Sequence, residues 1–147
     1  MSETRGVYLL GPEHAEGLRT LFREPDVAAA AGSLPDDVAD YIATAAKARE
    51  EGRSYIFVLT DRTEVLGICR LIGVRGVPRV IVAVGQAYRG VGNGSFLVGH
   101  VLEFAFENLK LERVTATGAC LHVVSHFGLR WNGVGLTRRE WHEARAK

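Results

Sequence analysis

The stretch RVIVAVGQAYRGVGNGSFLVGHVLEFAFENL, residues 79–109, decides the fold. It begins with the unbroken apolar run RVIVAV, which is typical of a central strand buried on both faces. A loop with glycines at positions 90, 92 and 94 follows. From Ser95 to Leu109 the apolar residues recur at helical spacing and predict a helix with a wide buried face. The chain then returns to a strand at RVTATG, so the segment predicts a right-handed βαβ unit with parallel strands.

Periodicity and turn residues place further elements on both sides of this unit. The other predicted strands are VYLL (7–10), SYIFVLT (54–60) and VLGICRLIGV (65–74), the last two joined as a hairpin. The other predicted helices are GPEHAEGLRTLF (11–22), GSLPDDVADYIATAAKAREEG (32–52) and a short one within HVVSHFGLRW that ends at Gly128. In the second of these helices, Ser33 or Pro35 is the predicted opening residue and Gly52 the predicted C-cap. The order of elements indicates an α/β layer structure.

Composition limits the classes of function. The chain has 147 residues, which suits a single domain over 1–147, and its 18 Lys and Arg nearly balance its 17 Asp and Glu. This balance argues against a dedicated nucleic-acid binder. The stretch MSETRGVYLL (1–10) does not show the basic region followed by an apolar region that is typical of a signal peptide, and no apolar run approaches the roughly 18 residues of a membrane span. Cys69 and Cys120 form no CxxC pair, so we expect a cytoplasmic protein without a structural metal or disulfide framework.

A glycine-rich loop before a helix is typical of anion sites, and three kinds compete here. A Walker A loop requires a lysine after Gly94, and a dinucleotide fingerprint requires a later third glycine and an acid after the next strand. Neither is present. The third kind is a pyrophosphate cradle, in which the amide groups of Gly90 to Ser95 and the helix N-terminus bind the phosphates. Glycines allow that approach because they carry no Cβ.

The heptapeptide YRGVGNG (88–94) resembles the R/Q-x-x-G-x-G/A motif of the GNAT superfamily of N-acetyltransferases, with Arg89, Gly92 and Gly94 at the defining positions. The resemblance runs nearly end to end. VLEFAFENLKLERVTATG and FGLRWNGV are similar to the branch that acetylates the N-termini of ribosomal proteins. It implies a mixed, mostly antiparallel sheet with a central, splayed parallel strand pair and helices on both faces.

The same resemblance implies acetyl-coenzyme A as co-substrate and a primary amine, of a small molecule or a protein N-terminus, as acceptor. The amine would attack the thioester directly, in a V-shaped gap between the strands RVIVAV and RVTATG. The implied cofactor-binding residues are Val82, Val84, Arg89, Gly90, Val91, Gly92, Asn93, Gly94 and Ser95.

The acid–base groups of the family are replaced. Val124 stands where many members carry a tyrosine acid, and Arg79 stands where many carry a glutamate base. Candidate catalytic substitutes are Cys120, His122 and Ser125, because a thiol titrates near ~8.5 and histidine near neutrality. The alternative is a catalytically weak acyl-CoA-binding regulatory or scaffold module, in which the cysteine is buried and the histidines are solvated.

Charged and aromatic residues outside this unit have less specific interpretations. Acidic and histidine side chains on the early helices could bind a cationic amine or simply face solvent; they are Glu13, His14, Glu24 and Asp26. The ending TRREWHEARAK is expected to be a solvated tail or part of a last hairpin packed by Trp141. Because the region after Gly128 is shorter than is typical of the branch that the chain resembles, the acceptor site is expected to be more open or to be completed by a second copy in a homodimer.

Overall fold

A six-stranded sheet runs through the protein, which the computed structural model describes over residues 4–116 and 135–145. In sheet order the strands are β1 (Arg5–Leu9), β2 (Tyr55–Asp61), β3 (Glu64–Ile72), β4 (Arg79–Val84), β5 (Arg113–Ala116) and β6 (Leu136–Thr137). Only β4 and β5 pair in parallel, and every other neighbouring pair is antiparallel. The prediction of a mixed, mostly antiparallel sheet with a central parallel pair is therefore confirmed.

The pairing between β4 and β5 covers only two residue pairs within the described part of the chain. Arg79 pairs with Thr115 and Val80 pairs with Ala116, where the described part of β5 ends. β4 continues to Val84. The predicted gap between the two strands would begin at this point, so it falls outside the described residues on the β5 side.

The helices lie on both faces of the sheet, as predicted. They are α1 (Ala15–Leu21), α2 (Pro25–Ala31), α3 (Val38–Glu50), α4 (Asn93–Glu103) and α5 (Arg138–Arg145). A 3₁₀ turn, Pro12–His14, leads into α1, and a π-helical turn, Phe104–Asn108, follows α4. None of these helices is long and apolar enough to cross a membrane.

The number of helices before β2, and the residue at which α3 begins, differ from the prediction. The sequence predicts two, whereas α2 is a separate helix that begins at Pro25, a residue suited to the first helical turn. α3 begins at Val38 rather than at Ser33 or Pro35, because the Asp37 side chain caps it by accepting a hydrogen bond from the Asp40 amide at 2.9 Å. Gly52 has φ +70°, in agreement with the predicted C-cap.

Each face of the sheet has its own apolar layer. The fully buried side chains of α4 and the turn after it are Leu97, Val98, Val101, Leu102, Ala105 and Phe106. They pack with one face of β2 to β4, while α1, α2 and α3 pack with Ile56, Val58, Ile68 and Ala83 on the other face. The wide turn after α4 corrects the prediction of a regular helix to Leu109. It places the Phe104 ring edge-on to Tyr55 and Phe57, at 4.9 and 5.2 Å.

The C-terminal end is a packed helix, so the expectation of a solvated tail or hairpin is wrong. β6 pairs antiparallel with β5 and leads directly into α5. Thr137 and Glu140 cap this helix reciprocally, at 2.9 and 3.2 Å, and the Thr137 hydrogen bonds lower the pKa of Glu140. Trp141 is 4% exposed and lies 6.1 Å from the Phe106 ring. The predicted packing role of Trp141 thus holds, although on a helix.

Replacement of Trp141 by alanine is expected to lower the free energy of unfolding by about 3–5 kcal/mol, because it empties a buried aromatic site. Urea denaturation followed by circular dichroism measures this. The control is Arg139→Ala on the same helix, whose side chain is 88% exposed, with an expected change within about 0.5 kcal/mol. Equal effects of the two substitutions would contradict the packing of α5.

Candidate anion-binding site at the start of α4

The loop between β4 and α4 turns on two glycines. Gly90 has φ +79° and Gly92 has φ +87°, in the left-handed region that side chains with a Cβ rarely adopt. A Cβ at either position would meet no atom of the described chain within 4 Å. The backbone therefore requires glycine for its conformation, and the space above both residues is open to a ligand.

The loop leads directly into the first turn of α4. Gly92 is the N-cap residue, and the helical ladder begins with the bond from the Phe96 amide to the Gly92 carbonyl, at 2.9 Å. Within the described ranges, the amides of Gly90 to Ser95 donate to no other residue. Unsatisfied amides at a helix N-terminus, together with the helix dipole, favour binding of an anion.

Asn93 fastens the loop to the first strand. Its side chain is 5% exposed, and its Nδ2 donates to the Tyr88 carbonyl at 3.0 Å. Its Oδ1 accepts a hydrogen bond from Arg5 at 2.7 Å, and the Arg5 guanidinium lies 4.3 Å from the centre of the Phe96 ring. The side chain of this predicted ligand-binding residue is thus engaged within the protein, which leaves its backbone amide as the group for a ligand. Local sequence carries no signal for Arg5, which lies 88 positions away.

Arg89 also binds inside the protein. Its Nε donates to the Val84 carbonyl at 2.7 Å, and its Nη2 pairs with Asp26 at 2.5 Å. The hydrogen bond from Arg89 lowers the pKa of the Asp26 carboxyl. Glu24 accepts a hydrogen bond from the Gln86 amide at 2.8 Å. These two acids, considered above as binders of a cationic amine, instead hold the loop against the start of α2.

Two further side chains have positioning roles. Tyr88 donates to Glu64 at 2.7 Å, which joins the loop to β3, and this hydrogen bond raises the pKa of Tyr88. His14, another candidate from the early helices, is buried, and its Nδ1 accepts from the Gly11 amide at 3.0 Å. His14 therefore caps the turn into α1.

The backbone polar groups of Val82 and Val84 point toward the β5 side of β4. The Gly85 amide donates to Leu66 of β3 at 2.8 Å, whereas the Pro78 carbonyl, on the opposite side, accepts from Thr115 of β5 at 2.8 Å. Because the polar groups alternate along a strand, those of Val82 and Val84 share the direction of Pro78. They run along the edge of β4 beyond the described pairing with β5.

The predicted catalytic residues and the other singled-out positions are not part of the site as far as the structure describes it. Cys120, His122 and Ser125, the predicted catalytic residues, lie outside the described residues, as does Val124. Arg79 is exposed at the start of β4, and Cys69 is fully buried. The candidate site in the described chain is therefore the glycine loop at the start of α4, with the edge of β4 next to it.

Comparison with known proteins agrees with this arrangement. A family model described as an acetyltransferase (GNAT) domain matches residues 8–125. No curated protein sequence matches the chain significantly.

Solved structures share the fold at low sequence identity. The ribosomal-protein-S5-alanine acetyltransferase from Vibrio fischeri has a TM-score of 0.73 at 14% identity, covering 90% of this chain and 82% of that one. The spermidine N-acetyltransferase from Vibrio cholerae, solved with CoA and spermine, has a TM-score of 0.71 at 15% identity, covering 88% and 83%. The Salmonella typhimurium acetyl transferase that modifies the N-terminal serine of the 50S ribosomal subunit protein L7/L12 has a TM-score of 0.67 at 11% identity, covering 85% and 80%. At such identities these likenesses concern the fold alone.

Replacement of Asn93 by alanine is expected to destabilise the protein by about 1–3 kcal/mol, because the Tyr88 carbonyl loses its partner in a buried setting. Thermal and urea unfolding measure the change. Asn108, which is exposed just after α4, is the matched control, and Asn108→Ala should change stability by less than about 0.5 kcal/mol. If Asn93→Ala unfolds like the wild type, the side chain does not hold the loop.

Proposed function

The chain belongs to the GNAT acetyltransferase family, and on that premise we propose that it transfers the acetyl group of acetyl-coenzyme A to a primary amine of a small molecule or a protein N-terminus. The observation that carries the proposal is the loop before α4. Two glycines with positive φ leave open space there, and the amides that follow have no partner in the described chain.

The residues present fit a pyrophosphate. The amides of Gly90 to Ser95 would bind the phosphate oxygens, and the dipole of α4 favours their negative charge. Arg89 lies at the same loop, with its charge shared with Asp26. The glycines at 90 and 92 would let the phosphates approach the backbone closely, since a Cβ would occupy the space that they need.

The strand edge next to the loop suits the pantetheine arm and the acetyl group. Arg89 holds the Val84 carbonyl. The Val84 amide and both polar groups of Val82 would then face the cofactor. An N–H directed at the acetyl oxygen would stabilise the negative charge that develops there during attack.

In the proposed reaction the nitrogen lone pair of the amine attacks the carbonyl carbon of the thioester, and the carbon–sulfur bond breaks. The amine loses a proton, and the departing thiolate gains one. Holding the two reactants in line can supply roughly 7 kcal/mol or more of the rate enhancement. We propose Cys120, His122 and Ser125 as the groups that move the protons.

A second candidate function is a catalytically weak CoA-binding module that regulates or scaffolds. Val124 at the position of the family tyrosine and Arg79 at that of the family glutamate favour it, because neither can perform the usual proton transfer.

Release of free thiol from acetyl-CoA tests the proposal. The panel comprises spermidine, amino acids and peptides with free N-termini, which cover the acceptors named for the structural neighbours. Turnover of at least one amine above the background rate is expected. Calorimetric CoA binding without turnover of any amine would favour the binding module, and absence of both would contradict the two candidates together.

Replacement of Gly92 by alanine is expected to weaken CoA binding at least about tenfold, or roughly 1.4 kcal/mol, because the new Cβ occupies the space required by phosphate. Titration calorimetry measures the affinity. Gly52→Ala is the matched control, since Gly52 has φ +70° and ordinary space for a Cβ but lies after α3, away from the loop. Both variants incur the same kind of backbone strain, so equal CoA affinities would contradict a phosphate site at Gly92.

A further inference from the structure

The two faces of the central strands differ in how well they are covered. α4, the turn after it and α5 fill one face with buried side chains. On the other face, α1 to α3 cover Ile56, Val58, Ile68 and Ala83. Farther along the same face, Ile72 of β3 and Ile81 of β4 are only half-buried in the described structure. They form a shallow apolar floor on strands that are central in the sheet.

Two arginines border this floor. Arg70 pairs in register with Ile81, and Arg79 pairs with Ile72. All four side chains therefore point to the same face, and the two arginines are diagonal neighbours with Cβ atoms about 7–8 Å apart. Arg70 is half-buried and Arg79 is exposed.

Neither arginine has an acidic partner among the described residues. Arg70 donates one hydrogen bond, from Nη1 to the Ala31 carbonyl at 2.9 Å, and its Nε is buried without a partner in the described residues. The Arg79 side chain makes no hydrogen bond or ion pair with any described residue. The stretch 117–134 contains no Asp or Glu that could supply one. The two diagonal positions bring two positive charges to one region of the sheet, and a bound anion would offset them.

A tyrosine adds a neutral donor to this region. Tyr41 of α3 is half-buried; burial raises its pKa, and the nearby charge of Arg70 acts in the opposite direction. The net pKa is raised, so the hydroxyl keeps its proton at neutral pH and can donate it in a hydrogen bond.

The floor lies next to the proposed reaction centre. Ile81 follows Val80, the last β4 residue with a described partner on β5, and precedes Val82, which would face the acetyl group. Because α4 closes the opposite face, an acceptor amine would reach the thioester from the side of the floor. This step rests on the proposed function.

We infer that the acceptor amine carries a carboxylate, which Arg70 and Arg79 bind above the apolar floor of Ile72 and Ile81. The guanidinium fork matches the two oxygens of a carboxylate, and a charge-assisted bond of this kind is strong where water is partly excluded. The same pair of charges repels a polyamine. Arg79, at the position where the resemblance places a glutamate base, is then an acceptor-binding residue.

Matched acceptors test this inference. Leucine is compared with isopentylamine and phenylalanine with phenethylamine, so that each pair differs by the carboxylate alone, and kcat/KM is measured by thiol release. The wild type should prefer the amino acid at least about tenfold. Arg70→Gln and Arg79→Gln should each lower kcat/KM for the amino acid about tenfold, mainly through KM, and leave that of the matched amine within about twofold. Arg70→Lys, which keeps the charge without the fork, should be intermediate.

The controls separate this inference from the proposed function. Arg62→Gln removes an exposed positive charge from the turn between β2 and β3 and should change neither acceptor. CoA affinity, measured by calorimetry, should be unchanged in every arginine variant, which also reports on folding. Equal kcat/KM values for the amino acid and the matched amine in the wild type would overturn the inference. So would an equal fall in both values in the variants. Neither result would contradict the acetyl transfer itself.

If the protein turns over no amine, a binding measurement tests the same inference. Saturation-transfer NMR on the CoA complex should detect leucine but not isopentylamine, and Arg70→Gln should weaken leucine binding about tenfold, in line with the expected rise in KM. Absence of a leucine signal from the wild type would overturn the carboxylate site. If the wild type does not bind CoA, the proposed function is overturned instead.

Discussion

The burial of α4 against the central strands is the contact on which the rest of the structure depends. Leu97, Val98, Val101 and Leu102 are fully buried on this helix, and each such side chain stabilises the fold by about 1.5–3 kcal/mol relative to exposure. With the helix axis held in this way, its N-terminus lies just beyond the carboxyl end of β4. The loop joins these two ends, so the position of the candidate anion site follows from core packing.

The loop is also held from three directions before any ligand arrives. β1 holds it through Arg5 and Asn93, β3 through Glu64 and Tyr88, and α2 through its contacts with Arg89 and Gln86. The exposed ion pair between Arg89 and Asp26 contributes little by itself, because solvent screens it. The buried amide of Asn93 is the stronger constraint, because a group that loses its partner there also loses access to water. A loop arranged in advance in this way loses less entropy on binding.

Short-range patterns predicted the elements that depend on short-range physics. The apolar run RVIVAV predicted a central strand, and the spacing after Ser95 predicted the buried helix, because burial on one or two faces leaves its period in the sequence. The helix α5 was missed, since it has a single buried residue, Trp141, among charged neighbours. What holds it is Phe106, which is distant in the chain. Likewise, the composition of FAFEN does not distinguish a π-helical turn from a continuing α-helix.

The sequence by itself determined the order strand, glycine loop and helix, and with it the candidate anion site at a helix N-terminus, because φ preferences and amide exposure are properties of adjacent residues. Only the tertiary structure decided which side chains hold that loop and which remain available. Asn93 meets Arg5 across 88 positions and Arg89 meets Asp26 across 63. Arg70 and Arg79 become neighbours only through the register of β3 and β4. Such contacts are set by strand pairing and helix packing, and these depend on the whole chain.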